Sequence, residues 1–186
     1  SLPISTRVFS FLFIISISYL LSTDDLAAFF IVNNIYLLSS VIVLFGFNIS
    51  GIKIIHNSGK LHADKISKAL TLCFSIRLIL FFMSLIVLSL LLYVYDYLFL
   101  EIYMVGLLFL FSQIIDLEFI FYYKKRIYIP LSIQLLSYVV AIIYLNSSST
   151  VISYLEVLLI NALIFVFTNI ISLLYLRIFH HVKVHK

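Results

Sequence analysis

Long apolar runs separated by short polar segments make up most of this sequence. Six runs come close to, or exceed, the roughly 20 residues that a helix needs to cross a hydrocarbon core of about 30 Å. The pattern therefore predicts an all-α integral membrane protein, with residues 1–186 forming a single unit of six transmembrane helices. The predicted spans are 8–21, 26–47, 68–94, 98–123, 127–145 and 151–179.

Composition supports a membrane protein. Hydrophobic residues make up 64% of the chain and charged residues only 11%, which is more apolar than a soluble domain of this size tolerates. Residues 1–21 resemble a signal peptide in having Arg7 before an apolar run, but no small-residue cleavage site follows. The single cysteine, Cys73, lies within the third span, so no disulfide framework is expected.

Lysines and arginines fall on one side of the membrane in a six-span arrangement, with one exception. They occupy the two terminal segments and the connections between spans two and three and between spans four and five. The other three connections have none, and two of them carry aspartates. The positive-inside rule then predicts that both termini are cytoplasmic. The net charge of +4 is therefore a topology signal and does not indicate a nucleic-acid partner.

The exception is Arg77. It lies about nine residues beyond Lys68, or roughly 13 Å into the membrane. A guanidinium at that depth costs at least about 2.5 kcal/mol on insertion scales, so we expect it to face protein, water or a ligand. Asp116 lies at a similar depth on the next span, which a short turn joins to the third. An Arg77–Asp116 pair is therefore predicted, and exchanging the two residues should restore function lost in the single variants.

Two interpretations of this pair stay open. In the structural one, the pair neutralises itself and fixes helix packing. In the functional one, Arg77 faces a polar cavity and binds an anionic ligand while Asp116 holds it in place. A third arrangement has Arg77 extending its side chain to the membrane interface.

Further polar residues interrupt the apolar spans at helical spacing. Such residues more often form helix–helix hydrogen bonds than ligand contacts, but several of them in one six-helix unit suggest a shared polar interior. The candidate cavity residues are Arg77, Asp116, Glu118, Gln113, Asn33 and Asn161. Polar stripes on spans two and six add Ser40, Thr168, Asn169 and Ser172.

Signals of catalysis are weak. His181 and His185 are four residues apart, as metal ligands on a helix are, but they lie in a basic tail without a third ligand. The sequence has no glycine-rich phosphate loop, no Cys-x-x-Cys motif and no Ser/His/Asp arrangement. The predicted outer connections are only a few residues long. We therefore expect no enzymatic activity, no metal and no cofactor.

Three segments resemble the O-antigen and polysaccharide flippases of the multidrug/oligosaccharidyl-lipid/polysaccharide exporter superfamily. Residues 44–51 (LFGFNISG) end span two with the family's Gly-Phe-Asn-x-Ser pattern and precede a basic connection. Residues 56–68 lead from that connection into span three without a break. Residues 116–119 (DLEF) are followed by a Lys/Arg cluster and are similar to the family's Asp-Trp-x-Phe-Gln-Gly segment, although the Trp and the Gln-Gly are absent here.

The resemblance implies a fold, an activity and partners. It implies that this chain is the N-terminal half of a transporter with two six-helix lobes around a central cavity. It further implies transport of an undecaprenyl-pyrophosphate-linked O-antigen or capsule repeat across the bacterial inner membrane, with Arg77 binding the pyrophosphate. The implied partners are membrane lipid and a second six-helix lobe, either the rest of a longer chain or a second copy.

Two alternatives to a flippase remain. One is a different six-span transporter or a structural membrane subunit. The other is a membrane-embedded glycan polymerase or acyltransferase, which the short outer connections disfavour.

Overall fold

The computed structural model describes residues 2–44, 63–97, 99–123, 125–147 and 152–180. These residues form an all-helical fold without strands, as the sequence predicts. The helices are α1 (Leu2–Leu20), α2 (Thr23–Leu44), α3 (Ala63–Val94), α4 (Leu100–Ile114), α5 (Glu118–Tyr123), α6 (Tyr128–Ser147) and α7 (Tyr154–His180). The Gly-Phe-Asn-x-Ser segment, most of the basic connection after α2, and the tail with His181 and His185 lie outside the described residues.

Four of these helices, α2, α3, α6 and α7, are long and apolar enough to cross a membrane. In α1 and α4 the apolar segments are shorter, Phe11–Leu20 and Leu100–Ile114. Large apolar side chains are exposed along the helices, as lipid-facing surfaces require; examples are Ile79, Ile86, Leu136, Phe167 and Ile178. The described part of the chain therefore has the surface and the helix lengths of a membrane protein. A count of six spans and the orientation of the termini stay predictions.

The fourth apolar segment differs from its prediction. The sequence pattern predicts one continuous span over 98–123, whereas the structure has two helices, α4 and α5, separated by the non-helical residues 115–117. Two other helices begin earlier than predicted, α1 at Leu2 and α3 at Ala63. These two extensions leave the span order unchanged, but the break in the fourth segment creates the candidate site described below.

Two helices begin with side-chain caps at the end of the bundle predicted to face outward. The Ser22 hydroxyl donates to the Asp25 carboxylate at 2.7 Å and accepts the Asp25 N–H at 3.2 Å. At the start of α7, the Glu156 carboxylate accepts the Ser153 N–H at 3.0 Å, and the Ser153 hydroxyl accepts the Glu156 N–H. The Ser153–Glu156 pair is a capping box that satisfies two backbone N–H groups, and the Ser22 hydroxyl satisfies one. These acidic residues therefore have a structural role.

A tight turn makes α3 and α4 antiparallel neighbours, as the sequence predicts. The Tyr97 N–H donates to the Leu92 carbonyl at 2.8 Å and the Asp96 N–H to the Tyr93 carbonyl at 3.2 Å. Asp96 adopts φ 59°, the left-handed conformation that ends a helix in this motif. The turn directs α4 back along α3, so the far end of α4 comes to lie beside Arg77.

The core lies where α2, α4 and α7 meet. Helix α2 packs against α3, α4 and α7, and α4 packs against α7 and α3, whereas α1 packs mainly on α6. In the most apolar part of each helix, 44% of the residues of α2 and 39% of those of α7 are buried, against 22% for both α3 and α6. Helices α2 and α7 are therefore central, and α3 and α6 present wide faces to lipid.

Helices α2 and α4 approach closely at Gly106. The ring of Tyr36 packs over this glycine and stacks on Phe109 with ring centroids 5.9 Å apart. The Tyr36 hydroxyl donates to the Ile102 carbonyl at 2.5 Å. A methyl group at Gly106 would lie 2.8 Å from Tyr36 Cε1 and 3.0 Å from Leu88 Cδ2. Because Tyr36 is held by both contacts, its ring has little room to move away.

Gly106→Ala is therefore expected to destabilise the protein by about 1–3 kcal/mol, as overpacking of a tight core does. The measurement is the free energy of unfolding of the purified protein in mixed micelles. Met104→Ala is the control, since Met104 is 57% exposed on the same helix and its change should be small. Equal stabilities for wild type and Gly106→Ala would show that the α2–α4 contact is looser than described.

Candidate functional site

A polar cavity of about 250 Å³ lies beside the break between α4 and α5. Residues of α2, α4, α5, α6 and α7 surround it, and all five segments are predicted to lie in the membrane. Its polar lining residues are Ser40, Gln113, Asp116, Glu118, Gln134, Thr168, Asn169 and Ser172. Apolar side chains complete the wall: Leu37, Leu44, Phe109, Leu117, Pro130 and Phe165.

The break in the fourth segment follows from Asp116. Its carboxylate oxygen Oδ1 accepts the N–H of Glu118 at 2.9 Å, so the side chain serves as the cap of a new helix, α5. Ile115, the last residue before it, has φ −87° and ψ 4° and lies outside the α-helical region. The carboxylate of an aspartate can thus hydrogen-bond to the backbone in place of a continuous helix, and here the helix ends just before this residue.

A helix end inside a membrane leaves carbonyl groups that need donors, because lipid supplies none. Arg77 provides them. Its Nη1 donates to the Asp116 carbonyl oxygen and also lies 3.4 Å from the Gln113 carbonyl oxygen. A cation at the carboxyl end of α4 also interacts favourably with the helix dipole. Arg77 therefore stabilises the interrupted backbone itself.

The charge of Arg77 is also close to a carboxylate. Its Nη2 lies 3.9 Å from Asp116 Oδ2, at the long end of an ion pair. Only 1% of Arg77 is exposed, against 11% of the Asp116 side chain. The structure thus brings together the two residues that the sequence predicts to pair, and the shorter contacts of Arg77 are to backbone oxygens.

The structure separates the candidate cavity residues into two groups. Gln113, Asp116 and Glu118 line the cavity. Arg77 does not line it and lies on the far side of Asp116 from the cavity. The lining residues therefore include two carboxylates, and no lysine or arginine is among the described ones. A small hydrogen-bonding group suits these walls better than an anion does in this arrangement.

Two hydrogen-bonding groups of the lining have no protein partner within the described residues. The hydroxyls of Thr168 and Ser172 are buried without one. The neighbouring Asn169 is held in place, since its amide Nδ2 donates to the Ser112 carbonyl at 2.7 Å. Buried polar groups rarely remain unsatisfied, and a polar cavity of this size has room for several waters. The lining therefore fits water or a hydrogen-bonding ligand.

One polar lining residue, Gln134, was not predicted from the sequence. Gln134 lies on α6, four residues after Pro130, and both residues line the cavity. A glutamine inside an apolar span is itself a signal of a polar interior. The sequence predicts polar stripes that contain Ser40, Thr168, Asn169 and Ser172, but it could not show that they face the same space as Asp116.

Asn33 and Asn161 lie elsewhere. The Asn161 amide Nδ2 donates to Asn33 Oδ1 at 3.0 Å, and this bond joins α2 to α7. Neither residue is among those lining the cavity. Their contact is the helix–helix hydrogen bond that polar residues within membrane spans usually make.

Replacing Asn33 and Asn161 by leucine, singly and together, should reveal a modest coupling. We expect about 0.6 kcal/mol, the average for interhelical hydrogen bonds in membranes, from a double-variant cycle of unfolding free energies. Any activity that the cavity supports should change little in the same variants. A large loss of that activity with unchanged stability would return these residues to the candidate site.

The described residues contain no group of three or more histidine, cysteine, aspartate or glutamate side chains placed to hold a metal ion. His181 and His185, whose spacing raises the possibility of a metal site, lie outside those residues. The expectation that the protein uses no metal stays a prediction.

Comparisons with protein-family models, curated proteins and solved structures found no match. The class of protein therefore comes from the fold and the site alone. The described residues are all-helical, with four helices long and apolar enough to cross a membrane, apolar outer faces and a polar cavity between helices, and they define an α-helical membrane protein.

Proposed function

We propose that this chain is one six-span lobe of a two-lobe flippase in the bacterial inner membrane, with both termini cytoplasmic. Its cargo is an undecaprenyl-pyrophosphate-linked oligosaccharide, such as an O-antigen or capsule repeat. The second lobe is the rest of a longer chain or a second copy. The proposed activity forms and breaks no covalent bond, since it moves a lipid-linked glycan from one side of the membrane to the other.

One observation carries the transport proposal: the fourth segment is interrupted beside a polar cavity. Irregular backbone at membrane depth is tolerated where protein buries it or where it lines a cavity. Transporters commonly build substrate sites from such discontinuous helices near the middle of the bilayer. A purely structural subunit has no need to carry Asp116, Glu118 and an unsatisfied pair of hydroxyls around one internal space.

The flippase proposal rests on where the resemblance falls. Residues 116–118, within the segment similar to the flippases' Asp-Trp-x-Phe-Gln-Gly motif, overlap the break between α4 and α5 and line the cavity. The residues on which the resemblance rests therefore also lie at the helix break and line the cavity. Sugars present many hydroxyl groups, and the amides, hydroxyls and carboxylates of the lining are suitable partners for them.

The role of Arg77 needs a more specific proposal. Carboxylates at positions 116 and 118 repel phosphate, so a pyrophosphate reaches Arg77 only by replacing Asp116 as its partner. Arg77 could then donate two hydrogen bonds to a phosphate through its planar guanidinium. We propose that this exchange accompanies the movement of the two lobes, and that in the arrangement described here Arg77 maintains the helix break.

Complementation tests the proposed function. The complete gene product that contains this chain is expressed in a strain that lacks its flippase, and surface polysaccharide is measured together with lipid-linked repeats on the cytoplasmic face. Wild type should restore surface polysaccharide and remove the accumulated repeats. A protein that inserts at normal levels and restores neither, across strains with different repeats, would contradict a flippase.

The size of the cavity favours a second candidate, a different six-span transporter with a small polar solute. About 250 Å³ is below the roughly 300–1,000 Å³ of sites that hold drug-sized ligands. A single sugar ring or a smaller solute fits the space better than a whole repeat. Failed complementation combined with an effect of Asp116 variants on uptake or export of small solutes would support this candidate.

A further inference from the structure

The polar cavity carries more negative charge than the described residues around it neutralise. Asp116 has Arg77 as its partner, with Arg77 Nη2 3.9 Å from Asp116 Oδ2. Glu118 lines the same cavity, and its carboxylate has no ion-pair partner among the described residues. An ionised carboxylate at membrane depth is costly unless a cation compensates it. One negative charge of the lining is therefore left for a ligand to neutralise.

Two hydroxyl groups of the lining indicate a ligand independently of this charge. Thr168 and Ser172 on α7 line the cavity and are only 7% and 2% exposed, yet neither hydroxyl has a hydrogen-bond partner within the described residues. Other hydroxyls in the spans donate to carbonyls of their own helix, as Ser39 and Ser137 do. A hydroxyl can donate one hydrogen bond and accept two. Unused donors and acceptors thus lie around the same space as the two carboxylates.

The size of the cavity distinguishes among positively charged occupants. About 250 Å³ has room for several waters, which is more than a bare inorganic ion fills and is enough for one sugar ring. The hydroxyls of the lining and the amide of Gln134 can bind the ring hydroxyls, which donate and accept. An ammonium group donates up to three hydrogen bonds, and those to a carboxylate are about twice as strong as neutral ones. A sugar with an amino group therefore uses this lining more fully than a bare ion or a neutral sugar does.

We propose that the cavity binds one sugar-sized solute that carries a primary ammonium group, with the ammonium against the carboxylates of Glu118 and Asp116. The hydroxyls of Thr168 and Ser172 then bind the hydroxyls of the ring. The inference rests on the proposed transport function and names the chemistry of the part of the cargo that enters this cavity, an amino sugar.

Glu118 is the better placed of the two carboxylates to bind the ammonium group. Asp116 Oδ1 already accepts the Glu118 N–H at 2.9 Å, and Oδ2 lies beside Arg77. Within the described part of the chain, no such contact engages the Glu118 carboxylate. The preference for a charged amine is therefore expected to depend mainly on Glu118.

Binding of three related sugars tests the proposal. The purified complete gene product that contains this chain is titrated in mixed micelles with glucosamine, glucose and N-acetylglucosamine at equal ionic strength. The unfolding midpoint reports affinity, because a ligand that binds only the folded state stabilises it. Glucosamine alone carries a positive charge, and it should bind about tenfold to a hundredfold more tightly than the other two, as a hydrogen bond to a charged group contributes. Equal affinities for the three sugars, or binding of none, would overturn the proposal.

Two variants locate the site. Glu118→Gln keeps the size of the side chain and removes its charge, so it should abolish the preference for glucosamine. Glu101→Gln is the matched control, since Glu101 is exposed at the start of α4 and does not line the cavity; it should leave the preference unchanged. A preference that survives Glu118→Gln, or falls equally in both variants, would contradict binding in the cavity.

An inorganic cation is the remaining competitor for the charge of the cavity. Sodium chloride and choline chloride are therefore compared at the ionic strength of the sugar titration. Glucosamine should raise the unfolding midpoint in either salt. Stabilisation by sodium chloride over choline chloride that equals the effect of glucosamine would assign the cavity to a metal cation and overturn the proposal.

Complementation separates a failure of this inference from a failure of the proposed function. Restored surface polysaccharide together with equal binding of the three sugars would leave the flippase in place and reject the amino sugar. Tight binding of glucosamine that requires Glu118, without complementation of any strain, would support the amine site and reject the flippase.

Discussion

Arg77→Ala is expected to destabilise the protein by roughly 3–5 kcal/mol, the cost of removing one partner from a buried charged pair. The loss has two sources in this structure. The Asp116 carbonyl oxygen loses the Arg77 donor, while the Gln113 carbonyl oxygen keeps a backbone donor, the Asp116 N–H at 3.4 Å; the Asp116 carboxylate loses the nearby cation. The measurement is the free energy of unfolding in mixed micelles, with membrane levels of the variant as a second readout.

Two further variants separate the contributions of Arg77. Arg77→Lys keeps the charge but loses the planar pair of donors, so it should recover only part of the lost stability. The matched control is Arg126→Ala, because Arg126 is exposed and its side chain reaches the Tyr175 hydroxyl at 3.3 Å; surface changes of this kind stay within about 0.5 kcal/mol. Equal effects of Arg77→Ala and Arg126→Ala would contradict the proposed role of Arg77.

The structure also changes what an exchange of the pair should do. From the sequence, swapping Arg77 and Asp116 should restore function, because the charges remain paired. In the structure, the shorter contacts of Arg77 are to backbone oxygens, and an aspartate at position 77 cannot donate to them. The exchange is therefore expected to fail, and restoration of stability and transport would show that the charge pair alone matters.

Asp116→Asn is expected to reduce transport about tenfold or more while leaving the fold in place. Asparagine keeps a side-chain oxygen that accepts the Glu118 N–H, and it is as good a helix cap as aspartate. It removes the negative charge from the cavity wall and from beside Arg77, whose Nη2 lies 3.9 Å from Asp116 Oδ2, so part of the stability is lost with the charge. Hydrogen bonds to a charged group contribute about 1.5–3 kcal/mol, and each 1.4 kcal/mol is a factor of ten in affinity.

Asp116→Ala provides the contrast, because it removes the cap together with the charge. It should lower stability more than Asp116→Asn does, whereas both variants should lower transport. Rates are compared in the complementation assay at equal membrane levels. Wild-type transport by Asp116→Asn would show that the charge has no part in the activity and that Asp116 only shapes the backbone.

The long helices could be predicted from the sequence because a membrane span needs only to be apolar and long enough. Both properties are local, so the pattern of apolar runs directly predicts α2, α3, α6 and α7. The neighbouring placement of α3 and α4 follows from the short turn at residues 95–97. With the turn and the depth of both residues known, the contact of Arg77 with Asp116 could also be predicted.

The break in the fourth segment could not be predicted from apolarity, because Ile115 and Leu117 on either side of Asp116 are as apolar as the rest of the span. It depends on three groups meeting: the Asp116 side chain, the Glu118 N–H and the guanidinium of Arg77 from another helix. Only the fold places Arg77 where it can satisfy the carbonyls that the break exposes. Because the cavity forms beside the break, its full set of lining residues could not be predicted from the sequence.

Orientation around the helix axis limits prediction in a second way. In a soluble helix the polar face marks the outside, but in a membrane helix both lipid and core are apolar. Asn161 and Thr168 look equivalent in the sequence, seven residues apart on one helix. The structure places Asn161 in a hydrogen bond with Asn33 and Thr168 at the cavity, because the neighbours of α7 change along its length.

Cysteine accessibility tests most directly the central claim that a wet cavity lies inside the membrane beside the fourth segment. Thr168→Cys and Gln134→Cys are made in a Cys73→Ala background and exposed to a membrane-impermeant thiol reagent in inverted and right-side-out vesicles. Both should react in inverted vesicles, because the cavity is predicted to lie in the cytoplasmic half of the membrane. Phe167→Cys and Leu136→Cys, the lipid-facing controls, should react in neither. If Thr168→Cys and Gln134→Cys are as unreactive as these controls, the result contradicts a water-filled cavity.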